Sequence, residues 1–93
     1  MLEFEWDEAK RVSNRAAHSV DFELIADVDW ETARYIPDNR QDYGEGRILA
    51  YAVIGDRLHA IVFTIRKTGI RIISMRRANN REIDRYVAQI ESS

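Results

Sequence analysis

The stretch RILAYAVIGDRLHAIVFTIRKTGIRIISMRR, residues 47–77, decides the fold of this chain. It contains three β-rich runs, at residues 47–54, 57–65 and 70–76. Gly55-Asp56 separates the first two runs, and two residues of this kind between strands are typical of a tight hairpin. Residues 66–69 form a second turn. The stretch therefore predicts a three-stranded antiparallel meander.

The residues before the meander predict two helices and one or two further strands. Residues 2–6 alternate apolar and acidic side chains, as in a short half-buried strand. Asp7 is suited to begin a helix that runs to about His18 and packs on the sheet through small apolar residues. A second short helix, a strand and a polar loop are predicted at residues 21–27, 30–36 and 38–46.

After the meander, Asn79 is suited to cap a final helix, in which apolar side chains recur at the spacing of one helical face. These side chains are Ile83, Tyr86, Val87 and Ile90. The pattern as a whole predicts an α+β fold in one domain, residues 1–93. Its small, mostly antiparallel sheet would consist of the meander plus one or two added strands, with two N-terminal helices and one C-terminal helix.

The composition limits the class of protein. Of the 93 residues, 45% are hydrophobic and 32% are charged, which is ordinary for a folded domain. No cysteine is present, which excludes disulfides and thiolate chemistry. The sequence shows neither a secretory signal nor an apolar run long enough to span a bilayer. We therefore expect a cytoplasmic protein without a membrane partner.

Charge is distributed unevenly along the chain. Residues 1–46 carry five Lys or Arg and twelve Asp or Glu, a formal charge of −7, whereas residues 47–93 carry nine and four, a formal charge of +5. Clustered guanidinium groups suit a phosphodiester partner, so we expect a basic face. The alternative is that several arginines simply pair with carboxylates such as Glu23, Asp27, Glu45 or Glu82. The arginines on or beside the meander are Arg47, Arg57, Arg66, Arg71, Arg76 and Arg77.

The two histidines, His18 and His59, are far apart and show no ligand-like spacing with carboxylates. We therefore expect no metal and no cofactor. His59 lies in an apolar run and is interpreted as a partly buried core residue. His18 stands at a helix end, where it is either a simple terminal residue or a general acid–base group.

Extending the strand pairing outward from the two turns predicts which residues share a face of the sheet. The predicted cross-strand pairs are Arg47 with Thr64, Ala52 with His59, Thr64 with Arg71, and His59 with Arg76. Because cross-strand partners share a face, Arg47 and Arg71 would lie on one face of the sheet and Arg76 on the other.

Three fragments, taken in order, form a recognisable pattern. The first is FEWDEAK at residues 4–10, followed by Asn14, His18-Ser19-Val20 and Phe22. The second is GEGRILAYAVI at residues 44–54, and the third is RIISMRRA at residues 71–78, followed by Glu82 and Tyr86. Together they resemble the BrnT family of toxins from bacterial type II toxin–antitoxin systems.

The resemblance implies a RelE-like ribonuclease fold and a toxin that cleaves RNA without a metal and inhibits translation. It also implies a hetero-oligomer with a BrnA-type antitoxin. This complex would bind operator DNA only through the antitoxin. Ala17 and Ser19 depart from the family's Lys-His-Gly pattern. A catalytically weak or inactive binding module, or an RNA-binding domain without cleavage, therefore stays an alternative. The family's recurrent positions correspond here to Lys10, Asn14, His18, Glu45, Arg47, Arg66, Arg71, Arg76, Glu82 and Tyr86.

Metal-free RNA cleavage needs a base for the 2′-hydroxyl, cations for the phosphorane and an acid for the leaving 5′ oxygen. His18 is the first acid–base candidate, ahead of Tyr86 and Glu82. Arg47 and Arg76 are candidates for phosphate stabilisation, so Arg76→Ala should abolish growth arrest and leave the protein folded. The residues expected to hold flanking phosphates are Lys10, Arg66, Arg71 and Arg77.

Overall fold

The structure, a computed structural model, describes residues 3–37 and 46–92. Its elements in chain order are β1 (Phe4–Glu5), α1 (Glu8–His18), a 3₁₀ helix (Phe22–Asp27), β2 (Val28–Pro37), β3 (Ile48–Ile54), β4 (Arg57–Arg66), β5 (Gly69–Arg77) and α2 (Asn80–Glu91). Most of the predicted loop, residues 38–45, lies outside the described residues. Asp7 and Asn79 cap α1 and α2 through their side chains, as predicted.

The strands form one five-stranded mixed sheet in the order β1-β5-β4-β3-β2. The predicted meander of β3, β4 and β5 is confirmed, and β1 and β2 extend it at its two sides. β1 runs parallel to β5, while the other pairs are antiparallel. Gly69 follows the second turn where β1 approaches, and a Cβ there would lie 2.2 Å from the Glu3 carbonyl oxygen. This close approach of the two backbones requires glycine at position 69. With its mixed sheet and its helices, the fold is α+β.

The sheet has two apolar faces, which bury different parts of the chain. One face, here called the core face, packs Ile61, Ile72 and Met75 against the 3₁₀ helix and the residues just before it. The other face, here called the α2 face, packs Leu58 and Ala60 against α2. Alternation along each strand therefore decides which side chains belong to the core and which stand beside α2.

A β-bulge in β5 corrects the predicted register. Val62 pairs with Ser74 and Phe63 pairs with Ile72, so Ile73 is an extra residue in β5. The predicted pairs Ala52–His59 and Thr64–Arg71 are confirmed. The predicted pair His59–Arg76 is wrong, because Arg76 lies opposite Ala60 and Arg77 lies opposite His59. One inserted residue moves every later side chain of β5 to the other face.

The packing of α1 also differs from the prediction, since its small apolar residues do not face the sheet. Val12 is 59% exposed, and the buried residue of α1 is Asn14. The Asn14 amide donates to the carbonyl oxygens of Met75 (2.8 Å) and Val20 (3.0 Å), and its oxygen accepts from the Met75 N–H (3.2 Å). β1 pairs only with residues 70 and 71 of β5, so Asn14 satisfies part of the remaining strand edge.

Candidate nucleic-acid interface

The bulge at Ile73 brings Arg71 and Arg76 to the same face of the sheet. Arg71 pairs with Thr64 and Arg76 pairs with Ala60, and these two partners are four residues apart on β4. Residues four apart on a regular strand share a face, and Ala60 packs beside α2. The predicted separation of Arg71 and Arg76 onto opposite faces is therefore wrong.

Two further arginines belong to this face by the same alternation. Arg66 follows Thr64 by two residues on β4. Arg47 directly precedes β3, and continuing the β3–β4 pairing by one residue places it opposite Thr64. The Thr64 hydroxyl supports this placement, because it donates to the carbonyl of Gly46 at 2.6 Å. These four arginines belong to the α2 face of the sheet, and we call the set the arginine face: Arg47, Arg66, Arg71 and Arg76.

Arg76 is held in a network with α2. Its Nη1 and Nη2 atoms donate to the two Glu82 carboxylate oxygens at 2.7 and 2.8 Å. The Tyr51 hydroxyl and the Asn79 backbone N–H also donate to Glu82, at 2.6 and 2.9 Å. Glu82 is buried at 8% exposure. Four donors on one carboxylate fix both the start of α2 and the direction of the Arg76 side chain.

The network fixes the ionisation of Glu82. Hydrogen bonds from Arg76, Tyr51 and the Asn79 backbone lower the pKa of Glu82 to about 2, against the opposing effect of burial. Burial and the Glu82 carboxylate raise the pKa of Tyr51. Glu82 is therefore a carboxylate at neutral pH and carries no proton to donate. Its four hydrogen bonds orient the Arg76 side chain, and the acid–base role expected from the sequence stays a prediction.

The lowered pKa of Glu82 makes the free energy of unfolding depend on pH in the acidic range. Because the folded pKa of about 2 lies below the usual 4.5, the contribution of Glu82 is complete above pH 4.5 and is lost as the pH falls toward 2. The loss should be about 3 kcal/mol. Denaturant unfolding of the wild type and of Glu82→Gln between pH 2 and 7 measures it. The difference between the two proteins should shrink as the pH falls, and a constant difference would contradict the assignment.

Arg71 has a weaker partner. Its Nη2 donates to Glu5 at 3.2 Å, and both side chains are 29% exposed. Thr68 also donates to Glu5, and this bond together with Arg71 lowers the pKa of Glu5. A half-exposed pair of this kind contributes little to stability. The alternative stated above, that arginines of the meander pair with carboxylates, is therefore confirmed for Arg76 with Glu82 and for Arg71 with Glu5.

The Tyr86 hydroxyl has a structural partner. It donates to the Thr32 carbonyl at 2.6 Å and so fastens α2 to β2. The Thr32 hydroxyl accepts from the Val53 N–H at 2.9 Å, inside an irregular stretch of the β2–β3 pairing. The hydroxyl of Tyr86 thus links α2 to β2, and the predicted acid–base role of this residue stays a prediction.

The remaining predicted residues lie away from the arginine face. His18 and Lys10 are exposed on α1, in a groove of about 410 Å³ that Asn14, Ala17 and Ile73 also line. Arg77 lies opposite His59 and so belongs to the core face. His59 is 5% exposed, which agrees with its predicted place in the core, and burial lowers its pKa. The predicted residues therefore form two groups. The arginine face and the α2 residues lie on one side of the sheet, and the α1 groove and Arg77 lie on the other.

Sequence reasoning missed three contributors to this region. The first is Tyr51, whose hydroxyl completes the Glu82 network. A buried tyrosine usually needs a hydrogen-bond partner, and this rule could have indicated one. The other two are Asn14, which bonds the Met75 backbone, and Glu5, which accepts from Arg71. Neither of these two β5 contacts could be found from local sequence, because Met75 and Arg71 each lie more than 60 residues from their partners.

Within residues 3–37 and 46–92, no group of three or more His, Cys, Asp or Glu side chains could hold a metal ion. Neither described α-helix is long and apolar enough to cross a membrane.

Fold and site together define a small α+β protein with arginines gathered on one sheet face beside a fastened helix. Its sequence matches, over residues 6–82, the family described as the ribonuclease toxin BrnT of type II toxin–antitoxin systems. The chain belongs to this family of toxins. No curated protein gives a significant match.

Proposed function

We propose that this toxin cleaves RNA without a metal, inhibits translation and is neutralised by a BrnA-type antitoxin, on a RelE-like fold. The arginine face is the observation that carries the proposal. Guanidinium forks match phosphate oxygens and stay charged at any physiological pH.

The spacing within the arginine face favours an extended RNA backbone over a single phosphate. The strand partners of Arg71 and Arg76 are four residues apart on β4, which corresponds to about 14 Å along the strand. Two guanidinium groups at this spacing would bind different phosphates of one strand. Arg47, placed opposite Thr64 beside Arg71, would share the phosphate at that end.

The residues then take distinct roles in the proposed reaction. Arg47, Arg71 and Arg76 hold the phosphates and stabilise the phosphorane, with Glu82 directing Arg76. His18, in the α1 groove beside Lys10, takes the proton of the 2′-hydroxyl or protonates the leaving 5′ oxygen. This role requires the RNA to pass over the β5 edge, where Ile73 lines the α1 groove.

Arg71→Gln tests the arginine face and removes only the partly exposed ion pair with Glu5. We expect RNA binding to weaken and its log–log salt dependence to become shallower by about one, because one phosphate contact is lost. Stability should fall by less than about 1 kcal/mol, since the Glu5 pair is half exposed. Fluorescence anisotropy with a labelled single-stranded RNA, at salt concentrations from about 50 to about 200 mM, measures both affinity and slope.

Arg57→Gln is the matched control. Arg57 is exposed beside the Gly55-Asp56 hairpin, at the opposite end of β4 from Arg66, and its substitution removes the same charge. Its salt dependence should equal that of the wild type. Equal losses in Arg57→Gln and Arg71→Gln would mean that only net charge matters, and the arginine face would then have no special role.

A second function, a binding module without cleavage, is favoured by one observation. The Glu82 carboxylate beside Arg76 accepts hydrogen bonds from both Arg76 and the Tyr51 hydroxyl. The acid–base candidate His18 lies in the α1 groove instead. Incubating RNA with purified toxin in the presence of EDTA separates the two functions. Cleavage that His18→Gln abolishes supports the nuclease, whereas retention of intact RNA by the wild type supports the module.

A further inference from the structure

An apolar groove of about 420 Å³ opens on the core face at the end of the sheet where β1 joins. Its aromatic residues pack on one another: Phe4 stacks on Trp30 at 5.9 Å between ring centroids, and Trp30 meets Phe63 edge-on at 6.4 Å. Two large side chains at its rim, Tyr35 and Ile65, are 57% and 59% exposed. Exposed apolar side chains around a preformed aromatic groove mark an interaction surface.

The lining indicates a protein partner. Among the described residues that line the groove, only Tyr35 and Trp30 carry a polar side-chain group, a hydroxyl and an indole N–H. Small-molecule sites need several converging polar groups to orient the ligand, and the other lining side chains are all hydrocarbon. A groove of this kind suits the apolar anchor side chains of another protein.

The charge around the groove indicates what else that partner carries. Its three isoleucines, at positions 48, 65 and 70, are each next in sequence to an arginine of the arginine face. Strand alternation sends these arginines to the opposite side of the sheet at the same end. A segment that fills the groove and passes around this end would therefore meet Arg47, Arg66 and Arg71, and acidic residues would complement them.

We infer that this groove binds the antitoxin through an amphipathic segment, whose apolar side chains fill it while its acidic residues reach the arginine face. The same acidic residues would compete with RNA phosphates for the guanidinium groups, which gives neutralisation a physical cause. This inference rests on the proposed toxin function, because the partner is the protein that neutralises the toxin.

Ile65→Glu tests the groove, with Val12→Glu as the matched control. Ile65 and Val12 are equally exposed, at 59%, but Val12 lies on α1 and away from the groove. The purified antitoxin encoded by the neighbouring gene is titrated into each toxin variant by calorimetry. We expect Ile65→Glu to weaken binding at least tenfold and to abolish rescue of growth, and Val12→Glu to behave as the wild type. Tyr35→Ser, a second exposed rim position, should also weaken binding.

The outcomes separate the inference from its premise. Unchanged antitoxin affinity in both Ile65→Glu and Tyr35→Ser, with wild-type thermal unfolding, overturns the inference. A wild-type toxin that is dimeric alone by light scattering, and monomeric after Ile65→Glu, would assign the groove to a second copy and also overturn it. Loss of binding in Ile65→Glu, together with a wild type that never cleaves RNA, would refute the nuclease proposal and support the docking site.

Discussion

Replacing Arg76 by alanine is expected to lower the free energy of unfolding by about 2–3 kcal/mol. The substitution removes both guanidinium hydrogen bonds from Glu82, whose carboxylate is 8% exposed. A buried carboxylate that loses its cation costs several kcal/mol, and the partial exposure of Arg76 at 34% places this pair at the lower end. Urea unfolding at pH 7, followed by circular dichroism, measures the change.

A double-mutant cycle with Glu82→Ala distinguishes a specific pair from a general loss of packing. The double variant Arg76→Ala/Glu82→Ala should be clearly less destabilised than the sum of the single variants, because neither partner is then left unpaired. Arg77→Ala is the control, since Arg77 is exposed on the same strand; its change should stay within about 0.5 kcal/mol. Additive effects in the cycle would contradict the pairing.

The expected loss of stability changes how toxicity data on Arg76 should be interpreted. The sequence alone suggested that Arg76→Ala would stay folded, so that loss of growth arrest would indicate a catalytic role. With Glu82 as its partner, the same loss is also explained by a weakened α2. Arg71→Gln, whose Glu5 pair is half exposed, gives a cleaner test of phosphate binding.

Local signals in the sequence predicted most of the fold. Gly55-Asp56 fixes the β3–β4 hairpin, and Gly55 adopts the positive φ of 65° that such a turn favours. Asn79 and Glu82 form the capping box of α2. The turn and the capping box each involve only a few neighbouring residues, so the local structure they form can be predicted directly from the sequence.

The bulge at Ile73 could not be predicted in this way, and it decided the composition of the site. The run Ile72-Ile73 contains no glycine or proline that would indicate an irregular strand. The contacts beside the bulge are distant in sequence: Asn14 bonds the Met75 backbone, and Ile73 lines the α1 groove. Regular alternation therefore assigned Arg76 to the wrong face. The bulge re-aims the end of β5 toward α2, as bulges near functional sites often do.

Replacing Asn14 by alanine should be as damaging as the loss of Arg76, at about 3 kcal/mol. Three hydrogen bonds disappear, and the Met75 N–H and C=O are left unsatisfied at a strand edge where Asn14 itself is only 7% exposed. Faster hydrogen exchange of the Met75 amide, measured by NMR, would localise the loss to this edge. Ser13→Ala is the control, since its exposed hydroxyl only bonds the Lys10 carbonyl at 3.3 Å.

Asn14→Asp gives this prediction a characteristic pH dependence. The introduced carboxyl can still accept from the Met75 N–H, but when ionised it opposes the carbonyl oxygens of Val20 and Met75. Burial and these carbonyls should raise its pKa, so the variant should be destabilised at pH 7 and partly recover as the pH falls and the protonated carboxyl donates. Measured relative to the wild type at each pH, the destabilisation should therefore decrease toward acid. A variant as stable as the wild type at pH 7 would show that the Asn14 amide does not hold the β5 edge.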